Sequence, residues 1–242
     1  MNRRLIIIWG GVFSVLVFLI VLYTSDHKDI SASAGLHLKT GLPTVIIDAG
    51  HGGVDGGAQS ADGTLEKDIN LSVSLMLNDM LRCFGMDTVM TRTKDISIHD
   101  ENAETIRQKK ISDIRNRMKI INDTPDCIFV SIHQNHYTSS KYSGTQVFYS
   151  KNDPRSRLLA EHIQSSVVRQ IQPDNKREVK PSGTEIYLLY HSDAPAVLVE
   201  CGFLSNVEET NKLKTKDYQS RISFAVACGI VDAVNSNSAE EY

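Results

Sequence analysis

The sequence predicts an α/β fold: a single domain with a mostly parallel, mixed sheet of about six strands flanked by helices, preceded by an N-terminal membrane signal or anchor. Three observations predict it. Beyond residue 42, short apolar runs rich in β-branched residues alternate with amphipathic segments of helical period. Residues 5–23 form an uncharged apolar run directly after Arg3 and Arg4. The whole chain, 242 residues with 41% hydrophobic content and a formal net charge of −3, is ordinary for a globular protein and long enough for one sizeable core.

In chain order, the first segment reads as an export signal. The run at 5–23 is about long enough to span a bilayer as a helix of roughly 20 residues. A buried core helix fits it badly, because nothing in it supplies a polar face. Arg3 and Arg4 place its start in the cytoplasm, so everything after it faces outward, exported and extracytoplasmic. Ala32-Ser33-Ala34 has the form of a cleavage site but lies well beyond the run, so a cleaved signal peptide and a retained anchor both stand. The expected division is 1–24 signal or anchor, 25–41 linker, 42–236 folded α/β domain and 237–242 tail. Strands are expected at 44–47, 86–90, 127–132, 144–149, 185–189 and 196–199. Leu65, Ile69, Val73, Met76, Met80 and Phe84 mark a first helix at spacings of three and four, with Gly85 where a C-cap belongs. Ile111, Ile114, Met118 and Ile121 mark a second, Leu159, Ile163, Val167 and Ile171 a third, and 222–234 a last one. The polar stretches 93–110 and 172–183 read as insertions or mobile rims. Cys83, Cys127, Cys201 and Cys228 form no CxxC pair and read as buried free thiols.

The chemistry is concentrated around residues 44–57, TVIIDAGHGGVDGG, where a buried strand opens into glycines on each side of His51. A phosphate cradle takes second place, because neither GxGxxG nor GxxxxGK[ST] occurs. Ligands of open α/β sheets bind beyond the carboxyl ends of the strands. His51 follows the first strand, His133 closes CIFVSIH, Glu200 closes AVLVE, and Glu66 opens the first helix. Two histidines and two glutamates would thus converge on one edge. Catalytic zinc takes three protein ligands with an open fourth position, and a further carboxylate serves as base. Each residue alone has a duller explanation. Glu66 suits any first helical turn, and His133 suits a strand end, with His136 beside it. Glu200 is harder to dismiss, since a carboxylate ending an apolar strand needs a cation or donors. His191 is open between surface and cleft. The mild acidity excludes wrapping of nucleic acid. Cys201 follows Glu200, but no histidine is placed by sequence to activate it as a nucleophile.

Four segments in order, VIIDAGHGGVDGGA, LEKDINL, CIFVSIHQNH and AVLVECGFLSN, resemble the zinc-dependent N-acetylmuramoyl-L-alanine amidases of the type-3 amidase family. The resemblance covers residues 42–234. It implies one α/β domain with a mixed sheet, Zn2+ bound by His51, Glu66 and His133, and Glu200 as the catalytic carboxylate. It implies peptidoglycan as substrate, cut at the amide between N-acetylmuramic acid and L-alanine. Gln134 stands where the family usually has alanine, and Gln146 where a glutamate is common. Asn135, Gln146 and His191 are the candidate substrate-binding residues. A short chain with a membrane signal and no wall-binding repeats is similar to the spore-cortex, germination-specific (CwlD-like) amidases. That implies a role in forming muramic δ-lactam, and leaves open an extracytoplasmic lipoprotein or other protein partner and the oligomeric state. Two rival readings stand beside it. A zinc peptidase or carboxypeptidase on wall peptides would use the same ligand set, and a non-catalytic, membrane-tethered wall-binding module would have no use for Glu200.

Overall fold

The computed structural model describes residues 41–240, with side chains to residue 236. The expected signal or anchor, and all of the linker before Gly41, lie outside the described residues. The apolar runs pair into one sheet of β1 (Thr44–Ala49), β2 (Thr88–Met90), β3 (Cys127–Asn135), β4 (Gln146–Tyr149), β5 (Lys180–Pro181) and β6 (Ala196–Phe203), in the order β2-β1-β3-β6-β4-β5. β2, β1, β3 and β6 are mutually parallel, whereas β4 runs antiparallel to β6 and parallel to β5. The central strands are apolar on both faces because both faces are covered.

The helices are α1 (Glu66–Cys83), α2 (Ile106–Asp123), α3 (Arg155–Gln170), α4 (Tyr187–His191), α5 (Val207–Leu213) and α6 (Lys216–Glu240). Strand alternation divides the core. Val45, Ile47, Val130, Ile132, Val197 and Val199 face α1, α3 and α6. Ile46, Phe129 and Leu198 face Met118 and Ile121 of α2 and Leu188 and Leu189 of α4. Among the described residues no helix is long and apolar enough to cross a membrane.

Several expectations are corrected. Residues 185–189 are not a strand: they lead into α4, because so short an apolar run has no period that separates strand from helical turn. The sheet edge is taken instead by Lys180–Pro181, inside a stretch expected as a rim, and proline is tolerated there because an edge strand has ladder groups to spare. On α1 the stripe lies one position further round. Leu77 and Leu81 are fully buried, whereas Phe84 is exposed. Gly85, at φ 82°, ends that helix as expected. The 93–110 stretch is tied down rather than loose. Asp113 accepts from Ser97 Oγ (2.9 Å) and Ile98 N (2.7 Å), and Thr105 with Gln108 forms a capping box at the start of α2. Cys127 and Cys201 are buried, but Cys83 is exposed and Cys228 half-buried, because both lie toward the outer sides of helices.

Candidate metal centre

β1 delivers the chain into a loop that would not hold this shape unaided. His51 has φ 62°, Gly52 φ 137° and Gly53 φ 57°. A left-handed non-glycine residue costs about 1–2 kcal/mol, and two buried arginines offset that cost. Arg117 donates to the carbonyls of Ala49 (2.9 Å) and His51 (2.8 Å), and Arg92 to those of Ala49 (2.9 Å) and Gly50 (3.0 Å). Arg117 is itself ion-paired with Asp48 and Asp113. Asp48 also accepts from Ser131 Oγ (2.6 Å) and Thr91 Oγ1 (2.8 Å).

The loop places His51 Nε2 3.2 Å from Glu66 Oε2, and β3 places His133 Nδ1 2.8 Å from Glu66 Oε1. The two rings meet edge on at 4.9 Å. Glu66, the first residue of α1, is 3% exposed and accepts from the backbone amides of Ala58 (2.8 Å) and Gln134 (3.1 Å). The glycines around it are explained by close approach. A Cβ on Gly50 would lie 2.3 Å from the His133 ring, and one on Gly57 2.5 Å from Glu66 Oε2. Behind His51, Asp55 Oδ2 lies 2.9 Å from Nδ1, and Lys110 of α2 reaches Asp55 Oδ1 at 2.8 Å. Burial alone would lower the His51 pKa, but its hydrogen bonds to Asp55 and Glu66 carry it up to about 9. Burial would raise Glu66, yet the two imidazoles hold it well below the usual carboxylate range.

Glu200 pairs with His133 across parallel β3 and β6, so both side chains leave the same face. Its Oε2 is shielded from solvent and has no hydrogen-bond partner. Burial pushes its carboxyl up to about 7; the His133 charge opposes this and the Glu66 charge adds to it. The residues fit a metal ion on these observations. Two imidazoles and one carboxylate offer donor atoms within 4.8 Å of one another, and a second carboxylate stands next to them with an unused oxygen.

The other sequence candidates fall differently. Gln146 pairs with Glu200 across β4 and β6, but it is buried, with Nε2 donating to Glu178 O (2.9 Å) and Oε1 accepting from Arg177 (3.2 Å). Asn135 ends β3, its carbonyl bound by Leu204 N at 2.8 Å. His191 is not part of the His51, Glu66, His133 group. It is exposed on α4 with its ring against Tyr187 (4.3 Å) and Tyr190 (5.0 Å). The Cys201 thiol is pushed up to about 12 by burial, which makes it inert as a nucleophile. A cleft of about 1090 Å³, lined by Tyr142, Gln172, Asn175, Arg177, Glu209 and Tyr218 among others, adjoins Arg177 rather than the two histidines. Asp55, Arg92 and Arg117 escaped sequence reasoning. A carboxylate four residues past His51 was the one available signal, since metal-binding imidazoles are commonly oriented by such a group.

Known proteins share this chain's sequence pattern and fold. The family model described as N-acetylmuramoyl-L-alanine amidase (Amidase_3) matches residues 45–232. A germination-specific N-acetylmuramoyl-L-alanine amidase of Bacillus subtilis is 34% identical over 187 residues, covering 77% of this chain and 78% of that protein. The CwlD amidase of Clostridioides difficile, solved in complex with the GerS lipoprotein, superposes with a TM-score of 0.77 at 42% identity, covering 80% of this chain and 99% of that one. The amidase AmiC2 of Nostoc punctiforme gives a TM-score of 0.68 at 28% identity over 80% of this chain and 97% of that one.

Proposed function

The chain belongs to the N-acetylmuramoyl-L-alanine amidase family and is a peptidoglycan amidase, and from that premise we propose that His51, Glu66 and His133 hold a zinc ion beside which Glu200 acts as the base. The observation that carries this reading is the unpartnered, buried Glu200 carboxylate oxygen on the same face as His133, next to a compact His-Glu-His donor set. Bound zinc would supply Lewis-acid polarisation of the scissile carbonyl and acidify a water. The chain's own groups do the rest. Asp55, held by Lys110, fixes the His51 ring with Nε2 turned to Glu66, and Arg92 and Arg117 hold the loop carbonyls. The Glu200 carboxylate takes the proton of the attacking water and returns it to the departing amine of L-alanine.

The biological setting follows the same likeness. Similarity to a germination-specific amidase and to CwlD supports action on spore cortex, where stripping stem peptides permits muramic δ-lactam to form. Export by the segment ahead of residue 42 fits a substrate outside the cytoplasm, and the CwlD–GerS complex supports a lipoprotein partner. Digestion of peptidoglycan with zinc-loaded protein, read by mass spectrometry, tests the reading. Free stem peptides with peptide-less muramic acid are expected, whereas shortened peptides still attached to glycan would mean a peptidase instead.

A further inference from the structure

We propose that Tyr137 and Tyr142 form a sugar-stacking platform that seats the glycan strand of the substrate beside the catalytic edge. The inference rests on peptidoglycan being the substrate. Its starting point is topology. β6 lies between β3 and β4, and β3 points toward the catalytic edge while β4 departs from it, so the connection 136–145 must arch over the end of β6. The platform therefore stands at the ends of the two strands that carry His133 and Glu200.

That arch exposes two aromatic rings. Tyr137 is 53% and Tyr142 46% exposed, and their rings meet edge to face at 5.0 Å. A paired, exposed aromatic surface beside a site is a candidate contact for an occupant with an apolar face. These rings are held. Tyr142 leans on Phe203 (6.2 Å), the last residue of β6, and the Arg177 guanidinium covers Phe203 at 4.5 Å and approaches Tyr142 at 5.7 Å. Arg177 is fixed in turn by donation to Ser143 O (2.7 Å) and Gln146 Oε1 (3.2 Å), and Gln146 is the β-sheet partner of Glu200. Asn206 donates to the carbonyls of Ser140 (3.0 Å) and Tyr142 (3.3 Å), and Tyr137 N donates to Ser205 Oγ (3.2 Å). A ring pair preorganised in this way loses little entropy on binding. With Arg177 engaged on Phe203 and Tyr142, the tyrosine faces themselves are the contact surface, and they suit an occupant that is flat and apolar on one side. The C–H face of an N-acetylhexosamine ring has that character, and the glycan on either side of the muramic acid supplies such rings. A stacked sugar would hold the strand while the lactyl amide enters the site.

The test uses chitotetraose as a peptide-free glycan probe, titrated calorimetrically into the full zinc-loaded protein; the probe has no lactyl amide to cleave, so binding is read apart from turnover. Combined Tyr137→Ala and Tyr142→Ala substitution is expected to weaken binding about tenfold or more, and the Tyr→Phe pair to keep it. Phe224→Ala, which removes an equally exposed ring from α6, is the control and should bind as wild type. On intact peptidoglycan, the alanine pair should lose efficiency through KM rather than kcat, the mark of lost uniform binding. Unchanged chitotetraose affinity in the folded alanine pair, checked by circular dichroism, would overturn the platform; so would an equal loss in Phe224→Ala. Should the wild type release no stem peptides while the tyrosine-dependent binding persists, the zinc amidase assignment fails and the platform stands.

Discussion

Glu200→Gln changes one oxygen for an amide and keeps shape, so it isolates the base. Activity on peptidoglycan is expected to fall by about 10²-fold or more while zinc content and folding stay near wild type. Retention of near-full activity in a pure sample, measured by stem-peptide release, would remove Glu200 from the mechanism. Asp55→Asn keeps the contact to His51 but not the charge, and metal affinity is expected to drop about 10–100-fold, read by competition with a chromogenic chelator. The two effects should separate: the first alters turnover at full metal occupancy, the second alters occupancy itself. His51, Glu66, His133 and Glu200 could be picked out together because they sit toward the carboxyl ends of apolar strands or at a helix start; the structure groups His51, Glu66 and His133 and sets Glu200 opposite His133, although β3 and β6 run on past them to Asn135 and Phe203. Arg92 and Arg117 were not legible. A buried arginine, on a helix like Arg117 or just past a strand like Arg92, has the same letter as a solvated one, and only the loop carbonyls it meets reveal its work. Gln146 was read as a substrate contact from its motif position alone, and the structure shows its amide engaged by Arg177 and Glu178.

At the scale of elements, β1 and α2 are joined under the site by the buried Asp48–Arg117 pair. Arg117→Met leaves Asp48 as an uncompensated buried charge, and a loss of about 3–5 kcal/mol in unfolding free energy is expected from urea titration. The pair also sets an acid limit. Burial by itself would raise the Asp48 pKa, but the Arg117 charge and the Ser131 hydroxyl, with His133 and Thr91, hold it below its ordinary value. A group whose folded value is depressed contributes stability that is complete above its unfolded pKa, about 4, and is lost as pH falls through the folded value. Stability should therefore decline below about pH 4, and Asp48→Asn should be less stable at neutral pH yet show a shallower decline in acid. An acid slope identical to wild type would remove Asp48 from that account. Thr105→Ala, which breaks the capping box of α2, is expected to cost about 1 kcal/mol. These elements differ in how far the sequence disclosed them. α1 and α3 have long apolar stripes and were read correctly in kind, although Met76 and Leu77 compete for the same face and only the sheet decides for Leu77. α4 and β5, five and two residues long, carry too few turns of any period to be read at all.

The whole molecule brings together groups far apart in sequence: His51 after β1, Glu66 at the start of α1, His133 in β3 and Glu200 in β6, the last two register partners because β3 and β6 are adjacent and parallel. The alternation of strand and helix announced that parallel core, but not the order of the strands or the reversal of β4, because neither is encoded in local period. A site assembled this way exists only in the folded chain, so whatever binds it stabilises the fold by mass action. With zinc at about 100 times its dissociation constant the gain is about 2.7 kcal/mol, provided the unfolded chain does not bind. For a domain of about 200 residues each kcal/mol moves the midpoint by about 2–4 °C, so zinc should raise Tm by about 5–10 °C over the chelated protein. His51→Ala should abolish that difference by removing one donor of the group, whereas Phe224→Ala, exposed on α6, should preserve it. Differential scanning calorimetry with and without chelator reads both. A zinc-dependent rise that survives His51→Ala would place the metal elsewhere, and the convergence of these strand ends would then need another purpose.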